Sequence, residues 1–251
     1  MKRLFFLFTL GALPALAASQ EPLSLLGISA GKGGTTLSAP MQIVIMLTLM
    51  TILPAALMAI TPFLRITIVL HFLRQALGTQ STPSNQVLIG LAMFLTIVIM
   101  QPVAADMYHQ GWEPLEAGQI TTTQAMDQAA KPLHNFLIRF AREKDVKLFV
   151  EISHAPAPRT PADLDLKILI PAYILSELKA GFQIGAVLFL PFLVIDLVVS
   201  SVLAATGLFM LPPSLVAMPV KLIVFVLADG WLHVAMMLLS SFSGAAGGSG
   251  P

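Results

Sequence analysis

Residues 181–242 read GFQIGAVLFLPFLVIDLVVSSVLAATGLFMLPPSLVAMPVKLIVFVLADGWLHVAMMLLSSF. Two apolar runs flank a short break at 207–213, GLFMLPP, where turn and helix-stopping residues cluster. Each run carries charge where hydrocarbon would oppose it: Asp196 in the first, Lys221 and Asp229 in the second. The midpoint between 196 and 221 falls at about 208, inside the break, so two helical arms of equal rise folded there bring Asp196 and Lys221 to one depth. This stretch predicts a helical hairpin with opposite charges at one depth, placed to pair within the hairpin or across to the next copy of the chain.

The rest of the chain has the same character. It has 251 residues, 56% of them hydrophobic and only 11% charged, with mean hydropathy +0.84. Globular chains carry about 25% charged residues. No charge stands between Lys32 and Arg65, nor between Arg74 and Asp106, and each gap holds a helix of about 20 residues, enough to cross a bilayer. A net charge of +1 offers no footprint for nucleic acid. With no cysteine there is no disulfide, thiolate metal site or cysteine nucleophile.

Residues 1–17 have the form of a secretory signal: Lys2 and Arg3, a short apolar core, then Ala15-Leu16-Ala17 as a small-residue cleavage site. Residues 18–39 form a Gly/Ser/Thr-rich lead-in, expected to be flexible. Residues 40–105 are expected to make a first hairpin. Its first span covers about 40–64, kinked at Pro54, with its helix running on toward Arg74; its second span covers 86–105. Residues 106–180 hold eight Lys/Arg and ten Asp/Glu and read as a helical excursion outside the membrane. Within it, 121–150 is expected to be helical, with Thr123 as N-cap and a break at Pro132, and helix resumes over 163–178 with a bend at Pro171. Residues 181–242 are the second hairpin, and 243–251 a flexible tail. The loop expected around Arg65 and Arg74 has no acidic residue, which places it in the cytoplasm and the 106–180 excursion outside, in the periplasm if there are two membranes.

Enzymatic chemistry finds little support. His71, His109, His134, His154 and His233 never fall at i, i+3 or i, i+4, so no helical metal site is visible. No serine sits in a nucleophile-elbow sequence. Two intramembrane aspartates invite an aspartyl-protease reading, but in the hairpin register Asp229 faces about position 188 rather than Asp196. No cofactor is expected. The apolar tip Leu208, Phe209, Met210 and Leu211 should lie at a surface, where it meets headgroups, a partner or a constriction.

Two blocks stand out: PAYILSELKAGFQIG at 171–185, with Pro171, Tyr173, Glu177, Gly181, Phe182 and Gly185, and PVKLIVFVLADGW at 219–231, with Pro219, Lys221, Asp229, Gly230 and Trp231. Both resemble the hallmarks of the FliP family of flagellar export proteins. The likeness extends over 53–68 and the whole hairpin. The resemblance implies an all-α integral membrane protein that forms an oligomeric pore, a core subunit of the flagellar type III export gate. Several copies would join FliQ and FliR subunits and other export-apparatus membrane proteins, and unfolded flagellar proteins would pass across the inner membrane at the flagellar basal body. It implies inter-subunit charge contacts at Arg142, Glu177, Asp196 and Lys221. It also implies a pore constriction at Leu208, Phe209, Met210 and Leu211, where this chain has one methionine and relatives have a run. The alternatives are a small-solute or ion transporter and a pure assembly scaffold. A transporter would be expected to show inverted repeats, and the two hairpins differ in loop length and charge.

Overall fold

The structure, a computed structural model, describes residues 28–29, 36–37, 39–79, 81–154, 158, 160, 163–208 and 210–243. The signal-peptide segment 1–17, Phe209 and tail residues 244–251 lie outside the described residues. The chain divides into two units, one ending at Pro54 and the other beginning at Ala55.

The first unit contains a two-residue antiparallel ladder and most of helix α1 (Ala39–Ala59). In the ladder, β1 (Ile28–Ser29) pairs with β2 (Thr36–Leu37), Ile28 opposite Leu37 and Ser29 opposite Thr36. The lead-in read as flexible thus holds this short pairing. Thr48 and Thr51 satisfy their hydroxyls on helix carbonyls (Val44 O and Thr48 O, 2.8 Å each), as a polar group in an apolar helix must.

The first correction falls at residue 60. The helix expected to run on to Arg74 stops at Ala59, and α2 (Phe63–Ala76) begins after Pro62. Pro62 has no N–H to continue the ladder, and the Thr61 hydroxyl bonds the Met58 carbonyl nearby at 3.4 Å. Arg65 and Arg74 therefore belong to a packed helix and not to a loop. The turn lies beyond them, between α2 and α3 (Asn85–Met107). A single π turn, Tyr108–Trp112, carries α3 into the short α4 (Glu113–Glu116).

In the charged region, α5 (Thr122–Phe140) is capped by Thr121, not Thr123. The Thr121 side chain accepts from Gln124 N–H while the Gln124 side chain accepts from Thr121 N–H, a capping box that satisfies two orphan donors at once. Pro132 lies within α5. The break comes instead at Ala141, before α6 (Glu143–Ile152).

Helix α7 (Leu166–Ala205) runs unbroken for 40 residues through Pro171 and Pro191. It crosses the boundary placed between 180 and 181, so the last turns of the excursion and the first arm of the second hairpin are one rod. At its end Gly207 takes φ 75°, a left-handed turn that glycine adopts without Cβ strain. α8 (Pro213–Leu227) follows. The second arm, read as one helix, is two: α9 (Gly230–Ser243) leaves α8 at 66°, with Asp229 in the break at φ 49°.

Among the described residues, three helical stretches, Pro40–Ala59, Asn85–Glu116 and Leu166–Ala205, are long and apolar enough to cross a membrane. The bent α8–α9 pair makes a fourth if it is one span.

The core of the second unit is organised on α2. Ile66, Val69, Leu70 and Leu73 are wholly buried or nearly so, against Leu88 and Ala92 of α3, Phe192 of α7, Phe225 of α8, and Val234 and Leu238 of α9. Each such side chain contributes about 2 kcal/mol by leaving water. A second cluster gathers Phe136 and Leu137 of α5, Leu169 and Tyr173 of α7, and Phe242 of α9.

Candidate functional site

The face of α7 that meets α2 repeats every four residues: Tyr173, Glu177, Gly181 and Gly185 are all buried. Positions four apart stack on one side of a helix. The two glycines let the helices approach closely. A Cβ on Gly181 would stand 3.1 Å from Ile68 Cβ, and one on Gly185 only 2.6 Å from the Phe72 ring. This is the small-x-x-x-small device by which apolar helices close pack.

One turn toward the N-terminus of α7 the same contact turns ionic. Arg65 in the first turn of α2 grips Glu177 with two prongs. Nε donates to Oε2 at 2.9 Å, and Nη2 donates to Oε1. The Glu177 side chain is completely buried and that of Arg65 is 7% exposed. Arg65 Nη1 also donates to Ser241 Oγ at 3.3 Å, and its guanidinium lies 4.0 Å from the ring centre of Phe242 and 5.7 Å from that of Phe140. The ends of α5 and α9 thus close over the pair with aromatic faces, which attract a cation.

A second polar cluster joins α6 to α7. Asp145, 2% exposed, is bonded by Lys179 Nζ and accepts from Ser176 Oγ at 2.8 Å. Ser176 accepts in turn from the Arg142 backbone N–H at 2.9 Å. Burial pushes the Asp145 pKa up, but the hydrogen bonds from Lys179 and Ser176 and the charges of Lys179 and Arg142 outweigh it and hold the carboxyl below the usual aspartate range.

The third pair is the one the hairpin spacing indicated. Lys221 Nζ of α8 donates to Asp196 Oδ2 of α7 at 2.6 Å. Lys221 is buried (side chain 6% exposed), while Asp196 is 36% exposed and borders a cavity shared with Gln75, Phe189 and Met218.

The implied site residues thus fall apart into distinct places. Asp196 and Lys221 come together. Glu177 meets Arg65, and Arg142 uses its side chain on Gln183. Leu208, Met210 and Leu211 are exposed at the hairpin tip, Met210 at 97%; Phe209 lies outside the described residues. Among the hallmark residues, Pro171 is half-buried and Pro219 exposed. Phe182 is exposed yet edges the Phe72 ring at 5.5 Å, and Trp231 meets Phe225 edge-on at 5.4 Å. Asp229 stands exposed in the α8–α9 break beside buried Gly230.

Residue-level reading missed Arg65, Asp145, Ser176 and Phe242. Arg65 did carry a signal: it ends a long charge-free stretch. Its partner lies 112 positions away, beyond any local pattern. Among the described residues, no cluster of three or more His, Asp and Glu is placed to hold a metal.

The fold and this charged seam define a protein of several membrane-length helices locked together by buried, mutually compensating charges. The chain belongs to the FliP family, whose sequence model matches residues 46–238. It is 44% identical to the flagellar biosynthetic protein FliP of Pectobacterium carotovorum over 84% of this chain and 81% of that protein. It is 43% identical to the FliP of Caulobacter vibrioides over 94% and 88%, and 42% identical to that of Bacillus subtilis over 82% and 93%.

Proposed function

We propose that this chain is a core, pore-forming subunit of the flagellar type III protein export gate. Several copies, with FliQ and FliR subunits and other membrane proteins of the apparatus, enclose a path by which unfolded flagellar proteins cross the inner membrane at the basal body. The signal segment is removed on the way to that membrane. The observation that carries this reading is the family match across residues 46–238.

Two features support it. The outward side of the second hairpin is apolar, with Val187, Leu190 and Leu197 of α7 and Ile223 and Leu227 of α8 exposed in the single chain. Such surface requires lipid or protein against it. The tip residues Leu208, Met210 and Leu211 are also exposed, as a constriction built from several copies requires. In this reading Arg142 and Asp196, which keep solvent-facing surface, also serve at contacts between copies, and Glu177 and Lys221, buried within the chain, act there by holding α7 against α2 and α8.

The test is secretion. Removing the gene from its host should abolish release of flagellar subunits into the medium, and returning it should restore release. Normal secretion without the chain sinks the proposal. Replacing Leu208 and Met210 by alanine separates pore from scaffold: a constriction becomes leaky to ions, and a scaffold does not. Solute flux catalysed by the purified chain alone would favour a small-solute transporter.

A further inference from the structure

Between Arg74 and Lys131 the chain has no lysine or arginine. The carboxylates of that stretch, Asp106, Glu113, Glu116 and Asp127, are all exposed. They gather where α3 passes through the π turn into α4 and where α5 begins. The π turn lies against the first half of α5 through Gly111, where a Cβ would stand 2.6 Å from Ala129 Cβ and 2.8 Å from the Ala125 carbonyl oxygen. Single π turns re-aim side chains and recur at functional sites. This one leaves Tyr108 49% and Trp112 57% exposed. Trp112 is braced, its Nε1 donating to Glu116 Oε1 at 2.9 Å, and His109 Nδ1 lies 2.8 Å from Glu113 Oε2. The result is an aromatic knob ringed by carboxylates.

The other end of α5 carries the complementary surface. Ile138, Ala141, Val146, Val150, Leu164 and Leu169 wall a cavity of about 560 Å³ formed by α5, α6 and the start of α7. Glu143, Lys147 and Glu151 stand on its rim, and Arg139, Arg142 and Lys144 are exposed beside it. Glu143 is paired with Lys147 at 2.6 Å, which leaves Arg139, Arg142 and Lys144 against Glu151 alone. An apolar hollow with a basic surround thus faces outward on the same chain as an aromatic knob with an acidic surround. About 15–20 Å of helix separates the two along α5, so a chain cannot fill its own cavity. Exposed aromatic side chains seated in apolar pockets are the usual anchors of protein contacts, and opposite charges around them fix register and partner. Anionic lipid headgroups would be repelled by the carboxylates around Trp112.

We propose that the Trp112 knob of one chain docks into the α5–α6–α7 cavity of a second copy, with the carboxylates around Trp112 set against Arg139, Arg142 and Lys144 of that copy. The contact is head to tail, so every copy keeps one free knob and one free cavity until a ring closes or a spiral ends. The inference rests on the reading of the chain as a subunit present in several copies, and adds to it the place and chemistry of one contact between them.

The chain has no cysteine, so Gln110→Cys on the knob and Glu151→Cys on the cavity rim each install one thiol and leave Trp112 in place. Two differently tagged chains, one with each change, are produced together in native membranes and treated with a short bismaleimide. The expected product is a cross-linked pair carrying both tags, and no pair forms when either variant is produced alone. Adding Trp112→Ala to the Gln110→Cys chain should lower the yield several-fold at unchanged chain level, while Trp112→Phe should keep most of it. Glu116→Lys in that chain should also lower the yield, and Lys144→Glu in the other chain should restore part of it. Pairs formed by either variant alone, full yield with Trp112→Ala, or no recovery with Lys144→Glu overturns the proposal. So does assembled chain on native gels without the mixed pair, the outcome if Trp112 meets lipid or a different protein. Wild-type chain that runs as a monomer would instead remove the assembly reading beneath it.

Discussion

Arg65 and Glu177, 112 positions apart, form a two-pronged ion pair between α2 and α7, with Nε 2.9 Å from Oε2 and both side chains almost wholly removed from solvent. Buried charges are tolerated only when each compensates the other and the remaining donors find acceptors. Here Ser241 and the rings of Phe140 and Phe242 complete the enclosure. The pair therefore fixes which turn of α2 faces which turn of α7.

Removing one partner strands the other. Arg65→Ala or Glu177→Ala is expected to lower stability by about 3–5 kcal/mol. Arg65→Lys is also expected to lower it, because an ammonium lacks the planar fork. The double change Arg65→Met with Glu177→Leu should cost less than either single alanine change. Thermal unfolding of the detergent-solubilised chain decides it, and strictly additive losses would argue against direct coupling.

The close approach beneath that pair depends on missing side chains. Gly185→Ala places a methyl 2.6 Å from the Phe72 ring, and overpacking of this kind costs about 1–3 kcal/mol. Gly181→Ala, at 3.1 Å from Ile68, should cost less. Combining Gly185→Ala with Phe72→Ala should recover part of the loss. The same unfolding assay reads all three; a Gly185→Ala chain as stable as the parent would show that α2 simply shifts.

Acid should loosen the α6–α7 junction. The Asp145 pKa lies below the usual aspartate value in the folded chain, so its contribution is fully present above the unfolded pKa of about 3.9. It is lost as pH falls through the lower folded value. Unfolding midpoints measured between pH 7 and pH 2 should therefore drop at the acid end, and Asp145→Asn should flatten that part of the profile. An unchanged acid limb in Asp145→Asn would locate the dependence elsewhere.

Asp196 and Lys221 predict a charge-swap rescue. Asp196→Lys places two cations together, and Lys221→Asp two anions, so each single change should destabilise the hairpin and reduce assembly. Asp196→Lys combined with Lys221→Asp should restore part of both. The loss from Lys221→Asp should be the larger, because position 221 is buried and position 196 is 36% exposed. Complex yield on native gels, with chain level as control, provides the readout; no recovery in the double variant would mean that orientation matters beyond opposite charge.

Much of the helical plan was legible in the residues. Charge-free stretches of about 20 residues announced membrane-length helices, and 207–213 announced a turn. The equal spacing of Asp196 and Lys221 about that turn put them at one depth, because rise per residue is nearly constant in a helix; that they bond within one chain is decided by the packing of α8 on α7. The breaks were harder to read. Pro54, Pro132, Pro171 and Pro191 all lie inside helices, while the chain actually turns near Thr61, Ala141 and Asp229. A proline removes one donor, and packed neighbours can make up that loss. A break at Asp229 needs a left-handed residue and room for the second arm, which only the surrounding helices decide.

The sequence by itself determined that this chain is helical, apolar and long enough to span a membrane several times. It also placed Asp196 and Lys221 in register and marked the two family hallmarks. Only the tertiary structure decided that Arg65 belongs with Glu177, that Gly181 and Gly185 exist to admit Ile68 and Phe72, and that Phe242 covers the pair. Local periodicity follows from hydrogen bonding between residues four apart and so can be read along the chain. Partners 112 residues apart meet only when several helices have buried their apolar faces together, and no spacing in the chain records that meeting.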